Sequence, residues 1–360
     1  MTGIKNSPLA GKSVLFLINQ DLGGGVEYLG QVLGEDLRRR GANCTTRFIY
    51  PPGWDADLSK VRQIIKKAKL VAKAAPDVII TFQPTASAVA AVAGRLGGCR
   101  VIIAHQSNSP VKSHPAVRFV DKTLGSTGAY TVAIANSRAT LSEFDGYPAR
   151  YRRKIRLIEH GIPPPSFSLS PADIRARFSI PNNGPLLLMA ARLDEQKGQC
   201  IIVSALPKLP GVRLAMAGSG PAKDRLIAHG KSLGVADRLH FLGHVGRQDL
   251  TDLYRASTLM AFPSSWETFG LAAVEAAMAG LPIVSSDIPA LREVLADNGQ
   301  TTTHYVSNRQ PDEWATAIAG CLADTTLRPR SEAFASVIQD KYSEKRMMQG
   351  YEELYAELFP

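Results

Sequence analysis

Two glutamates, Glu267 and Glu275, stand on either side of what reads as a strand-to-helix junction, in Glu267-Thr268-Phe269-Gly270-Leu271-Ala272-Ala273-Val274-Glu275. Gly270 and Leu271 read as the first turn of a helix, ahead of the small residues Ala272, Ala273, Ala276 and Ala277. A helix start leaves backbone N–H groups unpaired and carries partial positive charge, which suits a diphosphate. Glu267, in the loop before it, can accept hydrogen bonds from the hydroxyls of a sugar. Glu275, about 80° further around a helix axis, can reach the same side and hold the 2′- and 3′-hydroxyls of a ribose. Sugar, diphosphate and ribose together make a nucleotide-sugar. A solvated glutamate at a helix start and a surface helix glutamate would show the same spacing, so the neighbouring residues decide.

Cations stand in a second segment, Ala191-Arg192-Leu193-Asp194-Glu195-Gln196-Lys197-Gly198, just after an apolar run. Arg192 as a planar fork and Lys197 as a compact charge can stabilise the negative charge that builds on a departing diphosphate. Glycine-rich turns follow three other apolar runs: Gln20–Glu27 with Gly23, Gly24 and Gly25, then Gly218-Ser219-Gly220-Pro221, then Phe241-Leu242-Gly243-His244-Val245. Glycine lets the backbone approach an anion closely. The first turn is neither a dinucleotide G-x-G-x-x-G nor a Walker loop, which removes the main support for a dehydrogenase or an NTPase. His105 closes the apolar run Val101-Ile102-Ile103-Ala104. A histidine there serves packing, or, at the carboxyl end of a strand facing a cleft, chemistry.

Glu267 and Glu275, with Trp266 ahead, Phe269-Gly270-Leu271 between and Gly280-Leu281-Pro282-Ile283-Val284 beyond, resemble the E-x7-E motif of retaining glycosyltransferases of family GT4, which have the GT-B fold. Gly24-Gly25-Val26-Glu27 resembles the Gly-Gly-x-Glu opening of that family, and Arg192 with Lys197 its Arg-x4-Lys element. The resemblance runs along most of the chain. It implies that Glu267, His105, Arg192 and Lys197 are catalytic. It also implies that Gly24, Gly25, Gly218, Gly243, His244, Phe269, Gly270, Leu271 and Glu275 join Arg192 and Lys197 around the donor nucleotide. His244 reads equally well as a solvent-facing loop residue. The implied reaction is a front-side displacement with retention, in which the two cations replace a divalent metal and no cofactor is needed. Gln106 stands where the family often has an acidic residue, which bears on acceptor contacts. Pro289 falls where a glycine-containing turn is common, which bears on the donor.

Elements that position these residues alternate along the chain. Ser13–Asn19, Cys44–Tyr50, Asp77–Phe82, Arg100–His105 and Tyr130–Ala135 read as buried strands, with helices at Leu29–Arg40, Leu58–Ala74 and Ser87–Leu96 between them. Strands alternating with helices imply an α/β fold with parallel sheets covered on both faces. Ile162-Pro163-Pro164-Pro165 opens a Pro/Ser-rich stretch that reads as a linker. Alternation restarts with strands at Leu186–Ala190, Arg213–Ala217, Leu239–Leu242, Leu259–Phe262 and Pro282–Ser286. Helices lie around Ile201–Leu206, Ala222–Leu233, Asp249–Ala256 and Thr268–Ala279. The expected organisation is an acceptor-binding Rossmann-like domain over 1–163 and a nucleotide-sugar-binding one over 164–342, facing a cleft. A final helix within 343–360 is expected to pack back on the first domain.

A chain of 360 residues, 45% hydrophobic, is long enough for two cores. No apolar run approaches the roughly 18–20 residues that span a bilayer. Met1–Lys12 is polar, without a signal-peptide hydrophobic region. Cys44, Cys99, Cys200 and Cys321 are scattered, as for reduced thiols in a cytoplasmic protein. The net charge of +10 is uneven: residues 1–165 carry 23 Lys and Arg against 11 Asp and Glu, the remainder 19 against 21. In Leu58–Ala74, Val61, Ile64, Ile65, Ala68 and Val71 recur at helical spacing, with Lys60, Arg62, Lys66, Lys67, Lys69 and Lys73 on the remaining surface. An inward stripe with lysines turned to an anionic membrane fits this pattern, as does a merely solvated face. Arg150, Arg152, Arg153, Lys154 and Arg156 form a second basic cluster. Lys112, Arg118 and Lys122 can bind an acceptor phosphate. The expected enzyme is a hexosyltransferase, peripheral on the inner face of the cytoplasmic membrane, that uses a UDP- or GDP-sugar and a glycan or lipid-linked acceptor. A non-catalytic accessory subunit, a sugar-nucleotide epimerase and a nucleic-acid-binding protein are the alternatives, the last without a binding motif to support it.

Overall fold

The computed structural model describes residues 8–20, 25–50 and 59–360, the side chains of 59–61 apart. The chain divides into two compact units, Met1–Gly161 with Lys345–Pro360, and Ile162–Glu344. The first holds strands β1 (Ser13–Ile18), β2 (Asn43–Phe48), β3 (Val78–Thr81), β4 (Val101–His105), β5 (Val132–Ala135) and β6 (Ile155–Leu157). They form one parallel sheet in the order β2-β1-β3-β4-β5-β6. The second holds β7 (Leu186–Ala190), β8 (Arg213–Ala217), β9 (Leu239–Gly243), β10 (Leu259–Phe262), β11 (Ile283–Ser286) and β12 (His304–Val306). These are again parallel, in the order β12-β11-β10-β7-β8-β9.

The central strands are largely apolar, because both faces of each sheet are covered, with polar residues such as Thr81, His105 and Ser285 toward their carboxyl ends. Val14, Phe16 and Ile18 share one face with Val78, Ile80, Val101 and Ile103. Leu15 and Leu17 lie on the other face with Ile79 and Ile102. In the second sheet Leu186, Leu188 and Met260 alternate in the same way with Leu187, Met189 and Leu259. Each such side chain contributes about 1.5–3 kcal/mol of transfer free energy. The helix Glu344–Leu358 places Met347, Tyr351, Leu354 and Tyr355 in the core of the first unit, in the same cluster as Phe16, Leu29 and Leu33.

The five expected strands of each half are present within about two residues of their expected ends. Strands β6 and β12, at three residues each, were not among them, nor were the helices Pro115–Thr127, Pro311–Ala323 and Leu327–Lys341. The helix Ser59–Ala74 corrects one detail. Ile64, Ala68, Val71 and Ala72 pack against the sheet at i, i+4, i+7 and i+8, whereas Ile65 lies off this stripe and is 51% exposed.

Candidate active site in the second unit

The order of the second sheet reverses between β7 and β10, because β8 and β9 lie to one side and β11 and β12 to the other. Connections leaving two such strands diverge to opposite faces and open a crevice beyond their carboxyl ends. Arg192 and Lys197 follow β7, and Glu267 and Gly270 follow β10. The strand order therefore brings together two segments about seventy residues apart in sequence.

Local bonding then fixes the two loops to each other. Asp194 Oδ1 accepts the Lys197 N–H at 3.2 Å and caps the single turn Glu195–Lys197. The Gln196 carbonyl accepts from the Ser265 N–H at 2.7 Å, and its side-chain amide donates to the Trp266 carbonyl at 3.0 Å. Gly198 has φ +70°, and a Cβ there would lie 2.4 Å from the Pro263 carbonyl oxygen. The outcome is an ion pair, Lys197 Nζ to Glu267 Oε1 at 2.5 Å, between side chains 18% and 10% exposed. Arg192, on the same loop, pairs with Asp194 and remains largely solvent-exposed.

Gly270 precedes the helix Leu271–Met278 instead of opening it, and has φ +85°. Phe269 is buried in the core against Tyr342, with ring centroids 5.1 Å apart, so its side chain serves packing. Because the helix begins at Leu271, the 80° helical relation between Glu267 and Glu275 does not apply; each glutamate has its own partners. Glu275 Oε2 accepts from the Tyr254 hydroxyl at 3.1 Å, and Arg247 lies 3.4 Å from Oε1. Burial pushes the Glu275 carboxyl up, with Arg247 and Tyr254 acting in the opposite sense. Gly218 serves loop packing: a Cβ there would sit 2.1 Å from the Ala191 carbonyl oxygen, and its N–H donates to the Gly243 carbonyl at 2.7 Å. Gly243 is half-buried and His244 exposed.

The remaining expected site residues lie in the first unit. Gly24 is outside the described residues, and Gly25 begins the helix Gly25–Arg39. His105, expected at a strand end facing a cleft, is enclosed within the first unit. Strand alternation puts Val101, Ile103 and His105 on the face covered by the final helix. Its ring is 3% exposed, lies 4.5 Å from the ring of Phe82, and shares a 3.2 Å hydrogen bond between Nε2 and the Tyr351 hydroxyl. Burial, reinforced by His160, depresses its pKa to about 3, so the imidazole is neutral. Gln106 is also buried: its amide donates to the Tyr151 hydroxyl at 2.9 Å, and that hydroxyl donates to Asp121 at 3.0 Å. Lys112 and Arg118 are exposed, and Lys122 lies 5.5 Å over the Tyr147 ring. Lys66, Lys69 and Lys73 are exposed and Lys67 half-exposed. No helix among the described residues is long and apolar enough to cross a membrane.

Four residues of the site were not singled out from sequence: Asp194, Gln196, Arg247 and Tyr254. Asp194 carries a cap signal, three residues before Lys197; the partners of the other three lie 21 to 70 residues away.

Residues 171–336 match the profile of the family described as Glycosyl transferases group 1. A D-inositol 3-phosphate glycosyltransferase of Xylanimonas cellulosilytica is 32% identical over 200 residues, covering 54% of this chain and 48% of the relative. The chain thus spans about half the length of the curated relatives it matches. Anabaena HepE, solved in complex with UDP-glucose, superposes with a TM-score of 0.81 at 22% identity, over 96% of this chain and 100% of that one. WaaG, a glycosyltransferase involved in lipopolysaccharide biosynthesis, does so at 0.74 and 15%, over 95% and 99%. Two parallel six-stranded sheets with these likenesses are the GT-B fold, and residues 171–336 of the chain are similar to the glycosyl transferases group 1 family.

Proposed function

We propose that the chain is a retaining glycosyltransferase. It moves a sugar from a nucleoside-diphosphate sugar, UDP-linked in preference to GDP-linked, to a hydroxyl of a glycan or lipid-linked acceptor in cell-envelope, exopolysaccharide or lipopolysaccharide synthesis. The observation that carries this reading is the Lys197–Glu267 pair at the strand-order reversal, with Arg192 on the first loop and the Gly270 turn on the second. Donor binding sets the diphosphate against Lys197, Arg192 and the amides at Leu271, and sets the sugar against Glu267. The bond from the anomeric carbon to the diphosphate oxygen breaks as the acceptor oxygen attaches on the same face. The acceptor proton passes to the departing diphosphate. Fixed cations stabilise that leaving group, and Glu267 steadies the positive charge on the ring. His105, neutral and enclosed, is assigned no proton transfer. The UDP-glucose bound by the Anabaena structure supports the choice of nucleotide.

A membrane surface belongs to the same proposal. Ser59–Ala74, Pro84–Gly94 and Pro115–Thr127 pack side by side in the first unit. Their one carboxylate, Asp121, is buried. Ile65, Val92 and Phe119 are 51%, 54% and 70% exposed among Lys66, Lys69, Lys73 and Arg118. Cations with exposed apolar side chains suit an anionic leaflet. Such contact would hold the protein on the inner face of the cytoplasmic membrane.

The test is calorimetric titration with UDP, GDP, ADP and their sugars, repeated on Glu275→Ala and Arg192→Ala. Binding of one nucleotide, weakened in both variants, supports the donor site; no binding to folded protein sinks it. Asp55-Ala56-Asp57, outside the described residues, has a spacing associated with divalent metals in other sugar-transferring folds. Turnover that persists in EDTA is therefore the check on metal independence. Co-sedimentation with phosphatidylglycerol vesicles, reduced in Phe119→Ser, tests the membrane arm.

A further inference from the structure

We infer that Tyr254 and Arg247 are positioning residues that aim the Glu275 carboxylate so that both of its oxygens receive a vicinal diol, the ribose of the donor. This inference rests on the nucleotide-sugar reading above. Arg247 and Tyr254 stand seven residues apart on the helix Arg247–Ala256, hence nearly two full turns apart on one face. That helix packs against Leu271–Met278, which carries Glu275. One helix face thus offers a donor and a counter-charge to one carboxylate: the Tyr254 hydroxyl donates to Oε2 at 3.1 Å, and the Arg247 guanidinium forms an ion pair with Oε1 at 3.4 Å.

A carboxylate oxygen accepts about two hydrogen bonds. With the Tyr254 hydroxyl donating to Oε2 and the Arg247 charge beside Oε1, acceptor capacity remains on both oxygens, side by side. Two neighbouring hydroxyls match that arrangement, whereas a single hydroxyl leaves one half-buried oxygen unpaired. Tyr254 is 2% exposed, so its hydroxyl cannot exchange this partner for bulk water. Glu275 is held in one orientation before any ligand arrives. Loss of either partner frees the carboxylate to turn, and its remaining acceptor directions no longer point the same way.

Selectivity for the diol, more than affinity alone, reads this out. Wild-type protein is titrated with UDP, GDP and ADP, and the nucleotide that binds best is compared with its 2′-deoxy analogue. The expected preference for the ribonucleotide is roughly 10-fold or more, because the analogue leaves a buried acceptor unpaired. In Tyr254→Phe and in Arg247→Gln that preference is expected to fall to about 3-fold or less, with Arg247→Lys partly restoring it. Arg247 is half-exposed on the rim, so Arg247→Gln keeps the test open if Tyr254→Phe folds poorly. A purely structural role lowers stability and leaves the ratio intact, which overturns the inference while the donor-site reading stands. A wild-type protein that binds ribo- and deoxynucleotide equally also overturns it. No nucleotide binding by the wild type refutes the donor-site reading itself, and the inference with it.

Discussion

Replacing Lys197 by methionine strips Glu267 of the cation 2.5 Å from its Oε1. At that separation the direct attraction is roughly 7 kcal/mol for an effective dielectric constant of 20. Desolvation of two side chains only 18% and 10% exposed offsets most of it. What a single deletion leaves is a poorly hydrated carboxylate, a situation that costs about 3–5 kcal/mol when burial is complete. Residual exposure of Glu267 reduces this to about 2–3 kcal/mol for Lys197→Met. For a folding unit of this size the melting transition falls by about 2–4 °C per kcal/mol, so a loss of about 5–10 °C is expected. Glu267→Gln leaves Lys197 closer to water and is expected to cost less. The double variant Lys197→Met/Glu267→Gln has no orphaned charge, and its loss should fall short of the summed single losses by at least about 1.5 kcal/mol. Scanning calorimetry and guanidinium unfolding of all four proteins close the cycle. Additivity to within about 0.5 kcal/mol, or a Lys197→Met protein as stable as the wild type, refutes the argument that the two loops are locked through this pair.

Three further outcomes follow from particular positions. Gly270→Ala combines φ +85° with a methyl 2.7 Å from Leu291 Cδ2; an expected loss of about 1–3 kcal/mol is read from thermal melts, with weaker nucleotide binding because the turn moves. Gly125→Ala places a methyl 1.9 Å from Tyr151 Cε2, on a ring fixed by Asp121 and Gln106, and should destabilise the first unit by about 1–3 kcal/mol in guanidinium unfolding. His105, with its pKa depressed to about 3, resists protonation when folded and takes up a proton on unfolding. Its contribution is therefore complete above about pH 6.5 and declines as pH falls toward 3, by up to roughly 1.4 kcal/mol per pH unit. Wild-type unfolding midpoints should fall more steeply than those of His105→Asn between pH 7 and 5; parallel profiles would show that the ring is hydrated.

Much of the fold was legible because parallel strands covered on both faces must be apolar over most of their length. Leu186–Ala190, Arg213–Ala217 and Leu259–Phe262 were expected with their observed limits for this reason. The edge strands Ile155–Leu157 and His304–Val306 were not, since three residues beside one neighbour need no apolar run and carry Arg156 and His304. The helix Pro115–Thr127 escaped notice because it leaves Val117, Phe119 and Val120 exposed, which blurs its periodicity. In the site, the loops after β7 and β10 stood out through charge and glycine. The residues that tie them did not, because Gln196 acts partly through its backbone and Tyr254 meets Glu275 across two helices. The enclosure of His105 was hidden for a related reason: the strand that carries it was visible, but its partner Tyr351, on the covering helix, lies 246 residues away.

That covering helix also sets a timetable. Residues 1–161 leave the ribosome first, yet their core is closed by Met347, Tyr351, Leu354 and Tyr355. At about 5–20 residues per second, the intervening segment delays that closure by about 10–40 seconds. Throughout this interval the part of that core which awaits the helix, His105 beside Tyr351 included, is uncovered on the nascent chain. The unit synthesised second has all its own strands and helices in hand before the first does. Maturation therefore runs against the direction of synthesis, and the nascent first unit offers a chaperone binding surface that the finished protein no longer has.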